Sequence, residues 1–331
     1  MPRPATGVEI RQDLFDLVEE WLPSDVTLVA DILMPPFRTN VPAAKYPVLP
    51  REAKMKIPTT ERAPDGSFTR GDWKWSKNEY TTDEFGYEIP IDNVSQMIYE
   101  DYINQEQVSS ESAKLGVIMA REGRVIDKFL DTTVWTGADK LHTITDEVDD
   151  QTNCDIFGEI ETAAKKVRAK CGLSKKAMTL VMTDDQLSWA IRTAKLTSKV
   201  QYVTAIATMT TEAQRIFLTQ FLGIKNIIII DSLYDSSALD LDAVITRTWS
   251  NECMWLGVLC TPGQNIRTRG IGRQFVWTRF AGDFRMETYG EPKTDATVIR
   301  CREYRGATIM DTDYGILIDN AVTTVNATTG F

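Results

Sequence analysis

From Asn93 to Thr133 the chain contains no proline, and glycine only at Gly116 and Gly123. Val108, Leu115, Ile118, Val125 and Phe129 recur at spacings of three, four and seven, which places them on one stripe of a helix. Glu106, Glu111, Lys114, Arg121, Glu122, Arg124 and Lys128 are assigned to its wet remainder. Each glycine costs roughly 1 kcal/mol against alanine, which such a run tolerates. The pattern predicts a short helix running into a long one from Asn104 to Thr133, about 45 Å at 1.5 Å per residue. That is far beyond the usual length of about 11–12 residues, and a rod of this size serves as a spine.

The other residues bound what the spine can belong to. A chain of 331 residues has room for two or three domains or one elaborated one. Its net charge of −10 argues against a free-standing nucleic-acid binder, which neutralises phosphates with excess Lys and Arg. A container for nucleic acid is not excluded, since its wall need not grip the contents. Cys154, Cys171, Cys253, Cys260 and Cys301 form no CxxC pair and read as reduced, mostly buried thiols. The first ten residues lack the apolar core of a signal peptide. The aliphatic run Ile227–Ile230 is far shorter than the about 20 residues a membrane span needs. The chain therefore reads as soluble and made inside a cell.

In chain order, Asp13 to Leu22 carries Leu14, Leu17, Val18 and Trp21 on a three/four spacing and predicts a short amphipathic helix ended by Pro23. Ser24 to Pro50 holds five prolines, Pro35, Pro36, Pro42, Pro47 and Pro50, and predicts an extended arm with no long helix or central strand. Its apolar residues Val26 to Phe37 need other surfaces to lie on. A two-stranded pattern follows, with Lys54 to Ile57 and then Trp73 to Trp75 and Phe85 to Ile91 alternating around the turn Pro64-Asp65-Gly66. Its outer part is too polar for a core of its own, so it is expected to project from the body and to be steadied by what it touches.

After the spine comes a turn-rich acidic connection, Trp135 to Gln151. An α/β unit follows: helix Asn153–Lys170 stopped by Gly172, strand Met178–Met182, helix Asp184–Thr193, helix Thr211–Leu222 stopped by Gly223, and strand Ile227–Ile230. Strands are predicted over Ala243–Thr248, Cys253–Leu259, Phe275–Arg279, Arg285–Tyr289, Ala296–Arg302 and Thr308–Ile318, the last broken near Asp311 to Asp313. The small, polar residues 322–331 read as a frayed tail.

No catalytic, cofactor or metal residue is assigned. His142 is the one histidine; it is expected in a loop at the surface, and no G-x-S-x-G elbow accompanies it. No G-x-x-x-x-G-K-[ST] loop occurs, and Gly270-Ile271-Gly272 is read as a turn. Asp184-Asp185 is read as a helix start and Asp146 to Asp150 as a solvated loop. Arginines concentrate at Arg267, Arg269, Arg273, Arg279 and Arg285 with acids among them, which suits ion pairs between subunits. Trp73 and Trp75 on the hairpin suit interface anchors. The candidate subunit-contact residues are therefore Arg62, Arg70, Trp73, Trp75, Lys77, Arg267, Arg269 and Arg273.

The order of parts, with Phe85-Gly86-Tyr87-Glu88-Ile89-Pro90-Ile91-Asp92 delivering into the helix and Arg300 to Asn320 as closing strands, resembles the major capsid proteins of tailed bacteriophages with the HK97 fold. The resemblance implies an α+β, HK97-like capsid fold: an N-arm over 1–43, an extended E-loop hairpin over 44–92, and a P-domain with the long spine helix over 93–150, completed by about 286–307. An α/β A-domain over 151–285, completed by about 308–322, and a tail over 323–331 make up the rest. It further implies self-assembly as pentamers and hexamers into an icosahedral shell around double-stranded DNA, in a virion assembled in the host cytoplasm. The implied partners are other copies of the chain, a portal, a decoration protein and a separate scaffolding protein, since the arm begins close to Met1. It implies no cofactor, no enzymatic activity, no sequence-specific DNA contact and no membrane. Some relatives crosslink an E-loop lysine; Lys54, Lys56, Lys74 and Lys77 stand on this hairpin, and nothing in the sequence selects one. The alternatives are an encapsulin-type compartment and an α/β enzyme with an unrecognised site. Electrostatics agrees with the shell: a negative wall holds DNA without clamping it, and weak contacts multiply in a closed symmetric assembly.

Overall fold

The computed structural model describes residues 28–48, 74–99, 104–199, 210–237, 242–263, 270–281 and 283–322, with scattered positions between 55 and 71. The expected helix 13–22 and tail 323–331 lie outside the described residues, as do Lys54, Lys56 and Trp73.

The arm makes one helical turn, α1 (Ala30–Leu33), then strands β1 (Pro36–Thr39) and β2 (Ala43–Val48). β3 (Ser76–Thr81) returns antiparallel to β2, with Val48 opposite Ser76 and Ala43 opposite Thr81. β4 (Asp83–Asp92) leads into α2 (Asn93–Tyr99) and then into α3 (Gln105–Leu130), a rod of 26 residues. Asn104 caps this rod by accepting from the Gln107 amide, and Lys128 lies in its last turn, where a cation suits the carbonyl end.

Beyond it follow β5 (Leu141–Thr143), α4 (Ile156–Cys171), β6 (Thr179–Thr183), α5 (Asp184–Arg192), α6 (Ala194–Lys199), α7 (Thr211–Leu222) and β7 (Asn226–Ile230). The stops at Gly172 and Gly223 stand where expected, both left-handed with φ of 69° and 66°, a conformation that costs glycine little. Thr183 and Gln186 close a reciprocal capping box at the start of α5. The chain ends in β8 (Leu233–Asp235), β9 (Ile245–Arg247), β10 (Met254–Gly257), β11 (Gly272–Trp277), the turn α8 (Thr278–Ala281), β12 (Arg285–Glu291), β13 (Ala296–Ile309) and β14 (Gly315–Asp319).

Two five-stranded sheets result. The first is built on the long β13. β4 lies along one edge, from Asp92 opposite Ala296 to Asp83 opposite Arg305. The other edge is shared in succession by β12 and β11, and β1 adds itself parallel to β11. The second sheet runs β5-β14-β10-β6-β7 and is buried on both faces. Leu180, Met182, Leu256 and Ile316 pack with α4, while Val181, Trp255, Leu317 and Ile230 pack with Val125, Ile126 and Phe129 of α3. Phe129 meets Trp255 edge to face at 4.9 Å between centroids. At its other end α3 packs Ala113 and Val117 against Cys301 of β13. The rod joins the two sheets. At Gly116 it crosses Tyr87 so closely that an added Cβ would stand 2.9 Å from the ring.

Four expectations are corrected. The segment Phe85–Ile91 does not belong to the hairpin; it pairs with β13, where Glu88 meets Arg300 at 3.2 Å and Glu84 meets Arg302 at 2.7 Å. Cross-strand charge pairing to a distant strand won over pairing to the neighbour in sequence. The arm does not wait for other copies: Val29, Ala30, Leu33 and Met34 are buried against α3 and the second sheet of the same chain. Arg121 and Glu122, assigned to water, are buried, whereas Leu115 and Ile118 are only half-buried. Gly270-Ile271-Gly272 is a strand entrance rather than a turn; an added Cβ on Gly270 would stand 2.5 Å from the Cys260 nitrogen.

Candidate functional site: the arm junction and the exposed loop

The first concentration of chemistry is where the arm crosses α3. Glu122 offers both carboxylate oxygens to the arm: the amides of Val29 and Ala30 donate to it at 2.7 and 2.8 Å. A carboxylate at the start of a helical turn satisfies amides that have no partner within the turn. Burial pushes the Glu122 carboxyl above its ordinary range, and the two amides and Arg121 pull against that shift.

Beside it, Glu303 of β13 accepts from Arg121 at 2.8 Å and from Arg124 at 2.7 Å, and Arg305 lies 3.3 Å away. Asp31 of the arm joins the same cluster, 3.4 Å from Arg121 and 3.2 Å from Arg305. The Gln274 amide donates to Asp31 and to the carbonyls of Ala30 and Met34. Burial lowers the affinity of Arg124 and Arg305 for their protons, offset by Glu303. Both remain cations at any ordinary pH. This is a clamp on α1 made of charges that would be costly if left unpaired.

The second feature is the excursion between β2 and β3. Its root is fixed: Tyr80 stacks on Phe275 at 4.0 Å, and the Asn78 amide donates to the Met310 carbonyl at 3.0 Å. Further out Trp75 is 61% exposed, Phe68 66% and Ile57 96%. Arg62 lies over the Phe68 ring at 5.0 Å and donates to the Gly66 carbonyl. Arg70 and Lys77 are exposed. Met55 rests against the end of α4 of the same chain: a Cβ on Gly172 would come 2.7 Å from its methyl.

Of the expected contact residues, Arg62, Arg70, Trp75 and Lys77 thus share one exposed region, and Trp73, Arg267 and Arg269 lie outside the described residues. Arg273 is corrected. It is fully buried and donates to the carbonyls of Thr261 and Gly263, which replace the water a buried guanidinium loses. His142 is corrected too. It lies on β5, its Nε2 2.6 Å from Glu159 and its Nδ1 3.2 Å from the Lys166 amine.

The sequence reading missed Arg121, Glu122 and Glu303. A signal existed for one of them: Arg121 falls with positions 117, 125 and 129 on one helical face. Among the described residues no group of His, Cys, Asp and Glu could hold a metal ion, and no helix is long and apolar enough to cross a membrane.

No protein-family model and no curated protein matches the sequence. Solved structures do match, end to end. A phage-related protein from Bordetella bronchiseptica superposes with a TM-score of 0.63 at 16% identity, over 93% of this chain and 95% of that one. The capsid of cyanophage P-SCSP1u gives 0.57 at 11% identity, over 92% and 93%. The chain has the HK97 capsid fold. Within the HK97 fold the match extends to the holo-SrpI encapsulin complex of Synechococcus elongatus, with a TM-score of 0.52 at 10% identity over 94% of both chains.

Proposed function

We propose that this chain is the major capsid protein of a tailed bacteriophage, assembling as pentamers and hexamers into an icosahedral shell around double-stranded DNA. One observation carries the reading: its agreement with phage capsid chains over 91–95% of this chain and 89–98% of theirs. The exposed, aromatic-bearing loop supports it, since Trp75, Phe68 and Arg62 are the residue types that anchor interfaces. In this reading residues 44–82 form the E-loop that lies on a neighbouring copy, with Arg62, Arg70, Trp75 and Lys77 at the contact. The clamp holds the N-arm to the spine helix, and α4 to β10 build the A-domain. A separate scaffolding protein, the portal and a decoration protein act on the shell, which is assembled in the host cytoplasm and has no enzymatic task.

Expression of the full chain with its neighbouring genes, followed by electron microscopy and nuclease treatment, tests the proposal. Closed shells holding nuclease-protected DNA are expected. Shells holding a protein cargo would favour the encapsulin reading, and a monomer or dimer that forms no large particle would overturn both.

A further inference from the structure

From Lys165 to Lys176 the chain places six bases and no acid in twelve residues, although its net charge is −10. The end of α4 explains part of this, because Arg168 and Lys170 in the last turn complement its carbonyl end. Lys175 and Lys176 do not share that reason, since they stand past Gly172 on the 3₁₀ turn Lys175–Ala177. Lys165 pairs with Glu161 at 3.7 Å and Lys170 with Asp139 at 3.0 Å, while Lys166 reaches the His142 ring. Among the described residues, Arg168, Lys175 and Lys176 have no carboxylate partner. Arg168 and Lys176 are exposed and Lys175 half-buried.

The chemistry of this patch differs from that of the exposed loop. Five of its six bases are lysines, no aromatic residue lies among them in the sequence, and its exposed apolar part is Leu173 together with Met55, which rests on Gly172. Lysine is depleted from the cores of protein–protein contacts, whereas as a hydrated point charge it suits phosphate. The patch also has a defined side. α4 covers the face of the second sheet opposite the one that packs on α3, so these bases lie away from the arm and its clamp.

We infer that the surface carrying Arg168, Lys170, Lys175 and Lys176 is where the shell wall touches the phosphate backbone of duplex DNA, without reading its sequence. This rests on the shell reading above, and it names which broad face of the subunit meets the genome. Arg168, Lys175 and Lys176, three cations with no carboxylate partner among the described residues, give contact that is weak and strongly dependent on salt.

The test uses the full chain, wild type and the triple variant Arg168→Glu, Lys175→Glu, Lys176→Glu. A control of equal charge change, Lys128→Glu, Lys225→Glu, Lys293→Glu, alters exposed lysines elsewhere. Binding to a labelled duplex of about 30 base pairs is followed by anisotropy across a salt series, where each phosphate contact adds about 0.9 to the log–log slope. The patch variant is expected to bind at least roughly tenfold more weakly at low salt, with its slope reduced by about 2–3, while the control keeps the wild-type slope. Equal affinity and slope in the patch variant, or no duplex binding by the wild type, would overturn the inference. So would a patch variant that keeps its affinity but no longer forms shells, which would make the patch a contact between copies. The shell reading itself is judged separately by microscopy of the wild type, since duplex binding is measured whether or not shells form.

Discussion

Arg121 and Glu303 are 182 positions apart in the chain and meet at 2.8 Å, with the carboxylate wholly out of water. The pair fixes the spine helix to the long strand of the first sheet, and Asp31 and Arg305 extend it to the arm. Removing one partner leaves the other charge buried and alone. Glu303→Gln or Arg121→Ala is expected to cost about 3–5 kcal/mol, read as a lower denaturant midpoint. The double variant should cost less than the sum of the two, and additive losses would show that the pair is not coupled.

Glu122 makes a prediction in pH. Burial raises its folded-state pKa above the ordinary 4.5, against the pull of the Val29 and Ala30 amides and of Arg121, and with help from nearby Asp31. A carboxyl with a raised folded pKa contributes stability that is full below the unfolded value and is lost as pH rises through the folded one. The wild type should therefore gain on Glu122→Gln as pH is lowered from neutrality toward 4.5. Denaturation curves across that window measure it, and a wild type that loses stability relative to Glu122→Gln on acidification would contradict the assignment.

Gly306 tests how tightly the loop root is packed. A Cβ there would fall 1.8 Å from the Thr81 carbonyl oxygen, and backbone cannot step aside as a side chain can. Gly306→Ala should cost about 3 kcal/mol or more by overpacking. Gly290→Ala meets nothing within 4 Å and should change the melting temperature little. Equal melting temperatures for the two variants would contradict this packing.

Trp75 and the excursion around it should matter to assembly rather than folding. Trp75 is 61% exposed, so Trp75→Ala should shift subunit stability by no more than about 0.5 kcal/mol. Deleting Thr59 to Arg70 should likewise leave a folded subunit. Both variants are expected to give fewer or less stable shells by microscopy and sedimentation. Normal yield and stability from the deletion would remove the loop from the contact.

Much of this fold was legible in the residues because its causes are local. The span of α7 from Thr211 to Leu222, the glycine stops of α4 and α7, the Asp184 helix start and the unbroken α3 rod follow from capping, backbone freedom and periodicity. Other features depended on groups far apart in sequence, where short-range patterns carry no information. Charge alone assigned Arg121 and Glu122 to water, but Glu303 and the arm amides, distant in sequence, supply the partners that let them be buried. Alternation alone made Phe85–Ile91 a hairpin limb, but any alternating strand has two edges, and only the assembled sheet supplied Arg300 and Arg302 to meet Glu88 and Glu84. The sequence by itself determined most of the helices and where they stop. Only tertiary packing decided which charges are buried and which strands are neighbours, because both depend on desolvation and pairing between distant parts of the chain.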